Sequence, residues 1–491
     1  MIDRRWVGLA VLSLSLLLVV MDMTVLNVAL PAISEDLRPD SVELLWMVDA
    51  YALVLSGLLV TVSALGDRWG RKRMLLTGFG VFGLASLAVL AADSPGEVIA
   101  VRALLGVGGA MIMPSTLSMI RTLFTDPAER ARALGVWAAT AALGAALGPI
   151  VAGVLLEHFG WHSAFLVNVP VMGVAIAAGL FLLPESRNPA PGRWDALATA
   201  LSMAGMAALV FAVKNFGKHG LADPAALVAC AVAAVTLGWF VARCLRRPDP
   251  LLEVRLFRNG PFSAGVVTAL VTAIAMAAVL LLLAQWMQLV RGYSPLETGV
   301  RLLPAALAAL IASPLAPALA ARIGARAVLA GGLAVTGLGF LLLYLAPDPL
   351  GYWPIATALT LIGAGNGALA IASAVIMSGT PAAKAGSAAA IEETSYEVGG
   401  ALGVAVLGSV AAAVYRGELA YGGVAGESLG GALDVARELG TAGETLAEQA
   451  RAAFTESLTL TCGAGAALML AGTLVVWLLT PRGLDLSSAQ H

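Results

Sequence analysis

Apolar runs of about 20 residues, the length needed to cross a bilayer, follow one another along the whole chain and are joined by short polar connections. They predict fourteen spanning helices at 6–31, 43–65, 74–92, 97–121, 131–154, 163–183, 194–215, 225–243, 262–289, 299–321, 327–346, 354–378, 388–415 and 456–480. None of the runs alternates with period two, which excludes an outer-membrane barrel and predicts an all-α polytopic fold. The first run follows Asp3-Arg4-Arg5 in the manner of a signal peptide. It is too long for one, lacks a clear cleavage site and precedes many further spans, so it is read as a retained helix. Residues 416–456 form the one long connection. Leu429, Leu433 and Ala436, then Gly440 to Gly443, then Leu446, Ala450, Ala453 and Phe454 predict two short amphipathic helices joined by a glycine turn. That segment is either a spacer or a hairpin over the outer vestibule.

Composition agrees: 59% of residues are hydrophobic and 12% charged, against roughly a quarter charged in a soluble domain. The net charge of −2 leaves no electrostatic footprint for nucleic acid. Cys230, Cys244 and Cys462 are widely spaced in or beside apolar runs, with no metal or disulfide pattern, and read as small core residues. Cations set the direction. Arg4 and Arg5 precede the first run. Alternate connections hold Arg68, Arg71, Lys72 and Arg73; Arg121, Arg130 and Arg132; Arg187 and Arg193; Arg243, Arg246, Arg247, Arg255 and Arg258; Arg322 and Arg326; Lys384; and Arg482. The intervening connections hold only Arg38, Lys214, Lys218, Arg291 and Arg301. Both termini are therefore expected in the cytoplasm, which needs an even number of spans.

The informative residues are charges inside the runs. A charge at that depth costs on the order of 3 kcal/mol or more and marks a functional site by default. Asp22 lies in span 1, Asp49 in span 2, and Glu392, Glu393 and Glu397 in span 13. Burial disfavours a charged carboxylate, so such a group can exchange a proton for a cation. Asp22 is the foremost candidate, with a structural acid bonded to a neighbouring helix as the alternative. Asp49, one turn inside the outer end of span 2, can meet a cation at the vestibule mouth or face water. Glu393 and Glu397 share a helix face, expected to be the cavity's, while Glu392 points about 100° away, towards a neighbouring bundle. Arg102, in span 4, must find carboxylates or carbonyls. One reading is a structural clamp between spans 1 and 4. Trp46, Tyr51, Met111, Met113, Trp137, Trp286, Met287 and Tyr396 are candidate walls for flat lipophilic cations, through cation–π contacts and polarizable sulfur. Helix packing or lipid exposure is the better account of any single one of them. Gln285, Gln288, Asn27 and Asn366 add hydrogen-bonding capacity.

An internal repeat organises the chain. Asp67-Arg-Trp-Gly-Arg-Lys-Arg-Met-Leu75 matches Ala321-Arg-Ile-Gly-Ala-Arg-Ala-Val-Leu329, and Leu105-Gly-Val-Gly-Gly-Ala110 echoes Ile362-Gly-Ala-Gly-Asn-Gly-Ala368. Gly144, Gly148 and Gly153 have the spacing of Gly399, Gly403 and Gly408. The offset is about 255 residues, or eight spans. It predicts a 6+2+6 arrangement: a six-helix bundle (1–187), two additional helices (188–260) and a second six-helix bundle (261–491), a repeat typical of transporters. Small residues let helices approach closely, and Pro149 kinks the glycine-rich span 5.

At these residues the chain resembles the major facilitator superfamily. Gly66-Asp-Arg-Trp-Gly-Arg-Lys-Arg73 is similar to its loop 2–3 signature, Arg102-Ala-Leu-Leu-Gly-Val-Gly-Gly-Ala110 to its span 4 signature, and Gly144, Gly148, Pro149 and Gly153 to its antiporter motif. Met21-Asp-Met-Thr-Val-Leu-Asn-Val-Ala-Leu-Pro31, with fourteen spans, resembles the drug:proton antiporters of that size, of the QacA type. Leu45 to Tyr51, Trp161 to Pro170 and Ile391 to Glu397 carry that closer likeness. Ser63 and Leu105 depart from the usual glycine and glutamine. Ala309 stands where some QacA-type exporters carry an acid linked to dications, which argues against dication transport. The resemblance implies a multi-pass plasma-membrane antiporter, monomeric and without cofactor, expelling lipophilic cations against an inward proton flow. It implies coupling through Arg102. Asp67, Arg68, Gly70 and Arg71, at the cytoplasmic ends of spans 2 and 3, either form a conformational latch that stabilises the outward-open state or serve as positive-inside anchors, an account that leaves Asp67 unexplained. An exporter of an endogenous metabolite, antibiotic or lipid is the alternative. A non-transporting receptor or chaperone is a further rival, and an enzyme is least expected, since no nucleophile–base or metal set is present.

Overall fold

In lipid a backbone amide finds no water to pair with, so a chain this apolar closes its hydrogen bonds within helices. The structure, a computed structural model, describes residues 4–39, 41–187, 194–219, 222–347, 349–381, 384–419, 421, 423–482 and 484. Arg193 and the side chains of Asn27 and Lys218 lie outside the described residues. Among the described residues there is no strand, and fourteen helices are long and apolar enough to cross a membrane. They are span 1 (Arg4–Leu37), span 2 (Ser41–Trp69), span 3 (Arg71–Ala88), span 4 (Pro95–Leu123), span 5 (Pro127–His158), span 6 (Ser163–Leu182), span 7 (Ala196–His219), span 8 (Pro224–Arg246), span 9 (Gly260–Val290), span 10 (Pro295–Ile323), span 11 (Ala325–Tyr344), span 12 (Tyr352–Ser378), span 13 (Ala385–Glu418) and span 14 (Glu444–Leu479). Every predicted span is found. Most helices overrun the apolar runs by a turn or so, because caps rather than hydropathy end them. Ser294 and Glu297 form a reciprocal capping box around Pro295, and Asp126 and Asp223 cap Pro127 and Pro224. Asp195 caps span 7 by accepting from the Ala198 amide. It also pairs with Arg243 and Arg247, and the Arg243 hydrogen bond holds its carboxyl below the usual carboxylate range.

The long connection departs from expectation. The first predicted short helix forms over Leu429–Glu438, after a four-residue helix at Val424–Glu427, and buries Leu429, Ala432 and Ala436. A turn at Gly440–Gly443 follows, but no second short helix: Leu446, Ala450, Ala453 and Phe454 are buried on the first turns of the 36-residue span 14 helix. The polar residues between them do not interrupt the helix, because those turns stand beyond the apolar window and can be solvated. Cys244 and Cys462 are buried as expected, whereas Cys230 is exposed on span 8.

Since lipid is as apolar as leucine, the spans associate by close packing rather than by a hydrophobic drive. Span 5 packs between spans 1 and 10, and span 13 against spans 2, 4 and 9. Spans 7 and 8 form a hairpin leaning on span 2. Glycines set the closest approaches, and the approaches recur eight spans later. A Cβ on Gly144 would lie 2.7 Å from the Leu17 carbonyl, and one on Gly148 3.0 Å from that of Met21. In the second copy Gly399 meets the Leu270 carbonyl in the same way and Gly403 that of Ile274. Gly70 and Gly324, matching positions of the repeated loop, have φ of +120° and +89°, a backbone that L side chains rarely adopt.

Candidate functional site

A cavity of about 770 Å³ lies between spans 1, 2 and 4 on one side and spans 9 and 13 on the other, with span 7 at its flank. Its wall is largely apolar: Met23, Met113, Met276, Leu280, Tyr51 and Tyr396 all contribute. Ser428, Leu429, Phe454 and Ser457 line it too, so it extends towards the long connection, on the side away from the termini. Four charged side chains line it: Asp49, Arg102, Lys214 and Glu397.

Span 1 and span 4 are joined by the most deeply buried ion pair. Arg102 Nη1 donates to Asp22 Oδ2 at 2.7 Å, with both residues 2% exposed. Arg102 Nε also donates to the Met47 carbonyl at 3.2 Å, and its guanidinium lies 4.6 Å from the centre of the Tyr51 ring. Asn168 of span 6 donates to the second Asp22 oxygen at 3.2 Å. Arg102 lines the cavity and Asp22 does not, so the arginine stands between the acid and any cargo. Asp49 lines the cavity as well, but it is paired: Lys214 Nζ of span 7 lies 2.5 Å from its Oδ1.

Span 13 carries its three acids at staggered depths. Glu397 lines the cavity. Glu393 sits one turn nearer the terminal side and is 3% exposed. Glu392 turns to span 12 and accepts from Ser373. Glu392 Oε2 and Glu393 Oε1 have no hydrogen-bond partner among the described residues. A full charge on either is costly there.

The terminal side is closed by contacts across the two halves of the chain. Ser63 donates to the Gly386 carbonyl at 2.7 Å, and Arg121 to the Met377 carbonyl at 2.7 Å. Beside these, Glu253 of the connection between spans 8 and 9 pairs with Lys384 at the start of span 13. Asp67 pairs with Arg71 at 2.7 Å and lies against Gly386, in the first turn of span 13, where the helix dipole favours an anion. Arg71 is further held by the Ser186 carbonyl, and Arg68 stacks 5.6 Å from the Trp194 ring centre.

The profile of the Major Facilitator Superfamily matches residues 12–404. The multidrug efflux pump LfrA of Mycolicibacterium smegmatis is 41% identical over 96% of both chains. The methyl viologen resistance protein SmvA of Salmonella typhimurium is 35% identical over 99% of both. This chain belongs to the major facilitator superfamily. In fold it is similar to the human organic anion transporter MFSD10, with a TM-score of 0.62 over 97% of this chain and 100% of that one, at 15% identity. It is a multi-pass membrane transporter rather than an enzyme, and among the described residues no group of side chains has the makings of a metal site.

In this superfamily member the aromatic candidates separate. Tyr51, Met113, Tyr396 and Gln285 line the cavity. Trp46 is 44% exposed in a second groove, with Phe211 and Val228. Trp137 is buried and donates to Thr116, and Trp286 is buried and donates to Thr455, each satisfying its indole away from the cavity. Met111 and Met287 are buried in the helix packing outside it. Gln288 is exposed, while Asn366 is buried at the break between Tyr352–Gly365 and Gly367–Ser378. Ala309 is buried in span 10, outside the cavity wall. Gly144 and Gly148 face span 1 around Asp22, and Gly153 faces Leu296 of span 10 at an ordinary 3.7 Å. Two site residues were missed: Lys214, counted as a loop cation, and Asn168. Both are polar residues inside apolar runs, the same signal that singled out Asp22.

Proposed function

We propose that this protein exports lipophilic cationic drugs in exchange for protons, by alternating access. The observation that carries the reading is the apolar cavity of about 770 Å³ with two acids on its wall, Asp49 paired with Lys214 and Glu397 without an ion-pair partner among the described residues, and a further acid, Asp22, held behind Arg102. Flat lipophilic cations suit a wall of methionine and tyrosine. The relatives support the reading of drug export, since one is named a multidrug efflux pump and the other for resistance to methyl viologen, a dication.

Cations crowd the connections on the closed side, so the positive-inside rule makes that side cytoplasmic and the cavity outward-facing. Both termini are then cytoplasmic. Spans 1–6 and 9–14 are the two bundles that rock, spans 7 and 8 the additional pair, with boundaries near 187 and 260. The protein works as a monomer in the bacterial plasma membrane and needs only the proton gradient. In the inward-facing state a cation reaches Glu397 and displaces a proton from it. Asp22 loses its proton in the same step and pairs with Arg102, which draws the guanidinium away from the bound cation. The bundles rock, and external protons then discharge the cargo. The latch at Asp67, Arg68, Gly70 and Arg71 holds the cytoplasmic side shut in the state seen here.

The test is ethidium efflux from proteoliposomes under an imposed pH gradient. Asp22→Asn is expected to abolish it while leaving a folded protein. Undiminished efflux from that variant would sink the coupling role of Asp22.

A further inference from the structure

The geometry points to Lys214 as a specificity-determining residue: a tethered cation that neutralises Asp49 inside the cavity, leaves Glu397 as the one carboxylate open to cargo, and so tunes the site to substrates of a single positive charge. This rests on the cation-export reading above and goes beyond it in naming what sets the valence of the cargo.

Charge counting on the cavity wall carries the inference. Of the four charged residues that line it, Arg102 is balanced by Asp22 at 2.7 Å and Lys214 by Asp49 at 2.5 Å. Glu397 has no ion-pair partner among the described residues, although Lys214 is within electrostatic reach of it. Lys214 sits little more than a turn inside the end of span 7. A lysine so placed normally snorkels its ammonium to the interface. Here the side chain turns inward instead, 22% exposed, to an aspartate that is 17% exposed. The surrounding wall is apolar, so one uncompensated charge more or less is felt strongly. A cargo with one positive charge is matched by Glu397 alone. A cargo with two needs a second carboxylate, and the only other acid on the wall is the one Lys214 occupies. Span 7 thus contributes a charged residue to a site whose other charged lining residues come from spans 2, 4 and 13.

Two dyes that share a ring system but differ by one charge provide the test: ethidium, a monocation, and propidium, a dication. Their equilibrium binding to the purified full-length protein is read by fluorescence. Lys214→Met is expected to tighten propidium by at least ~tenfold and to change ethidium by less than ~threefold, since only the dication gains a second partner. Lys214→Arg keeps the wild-type ratio. Asp49→Asn combined with Lys214→Met restores the charge count and returns the ratio to wild type. The double variant removes both members of the pair, so it guards against a folding failure of the single one. Parallel shifts for both dyes, or a double variant that keeps the Lys214→Met ratio, would overturn the role of Lys214 alone. A wild-type protein that binds no ethidium would overturn the cation-export reading itself.

Discussion

At the scale of single residues, the question is what allows Asp22 and Arg102 to lie 2% exposed within the span packing. Each solves the other's desolvation, and Asn168, the Met47 carbonyl and the face of Tyr51 take up the remaining donors and acceptors. Removing one partner strands the other. Arg102→Met is expected to cost about 3–5 kcal/mol, the range for breaking a buried pair. Asp22→Asn with Arg102→Met should recover much of that, both read as thermal unfolding of detergent-solubilised protein. Full recovery in the double variant with no transport would assign the pair to coupling rather than to stability. Asp22 was legible as a costly charge in an apolar run. That Arg102, not Asp22, faces the cavity was not legible, because two residues 80 positions apart meet only once spans 1 and 4 pack.

Among the helices, the glycines of span 5 divide in a way their shared motif concealed. Gly148 has no room for a methyl group: a Cβ would press on the Met21 carbonyl at 3.0 Å and on the Thr24 hydroxyl. Gly153 has room, 3.7 Å from Leu296. Gly148→Ala is therefore expected to cost ~1–3 kcal/mol, the usual range for overpacking, and to impair transport. Gly153→Ala should stay within about 0.5 kcal/mol. Thermal unfolding and ethidium flux distinguish the two, and equal effects would mean the seam with span 1 is not the limiting contact. Helix limits show the same split between pattern and packing. Hydropathy located all fourteen spans, because a bilayer-length apolar run has one stable solution in lipid. It mistook the start of span 14 for a separate helix, because solvated turns carry no hydropathy signal.

For the molecule as a whole, the closed side depends on a few polar contacts between distant parts of the chain: Ser63 with Gly386, Arg121 with Met377, and Glu253 with Lys384. Such contacts are individually weak, and breaking two of them should shift the population towards a state open on the terminal side. A cysteine at Ala389, fully buried beneath them, reports the shift in a background lacking Cys230, Cys244 and Cys462. Arg121→Ala with Lys384→Ala is expected to raise its reaction rate with a water-soluble maleimide by ~tenfold, the effect of ~1.4 kcal/mol. An unchanged rate would mean that helix packing, not these contacts, holds the side shut.

The sequence by itself determined the class of molecule, the number of spans, the repeat and the short set of acids worth attention. Each of these is local: length, hydropathy, glycine spacing and the cost of charge in lipid act along one helix at a time. Tertiary structure alone decided which acids face the cavity, which arginine shields Asp22, where the tryptophans bury their indoles, and that Lys214 turns inward to Asp49. Those outcomes depend on the rotation of each helix about its own axis. Helices hydrophobic on nearly every face leave that rotation to be set by small-residue contacts and polar pairing between spans.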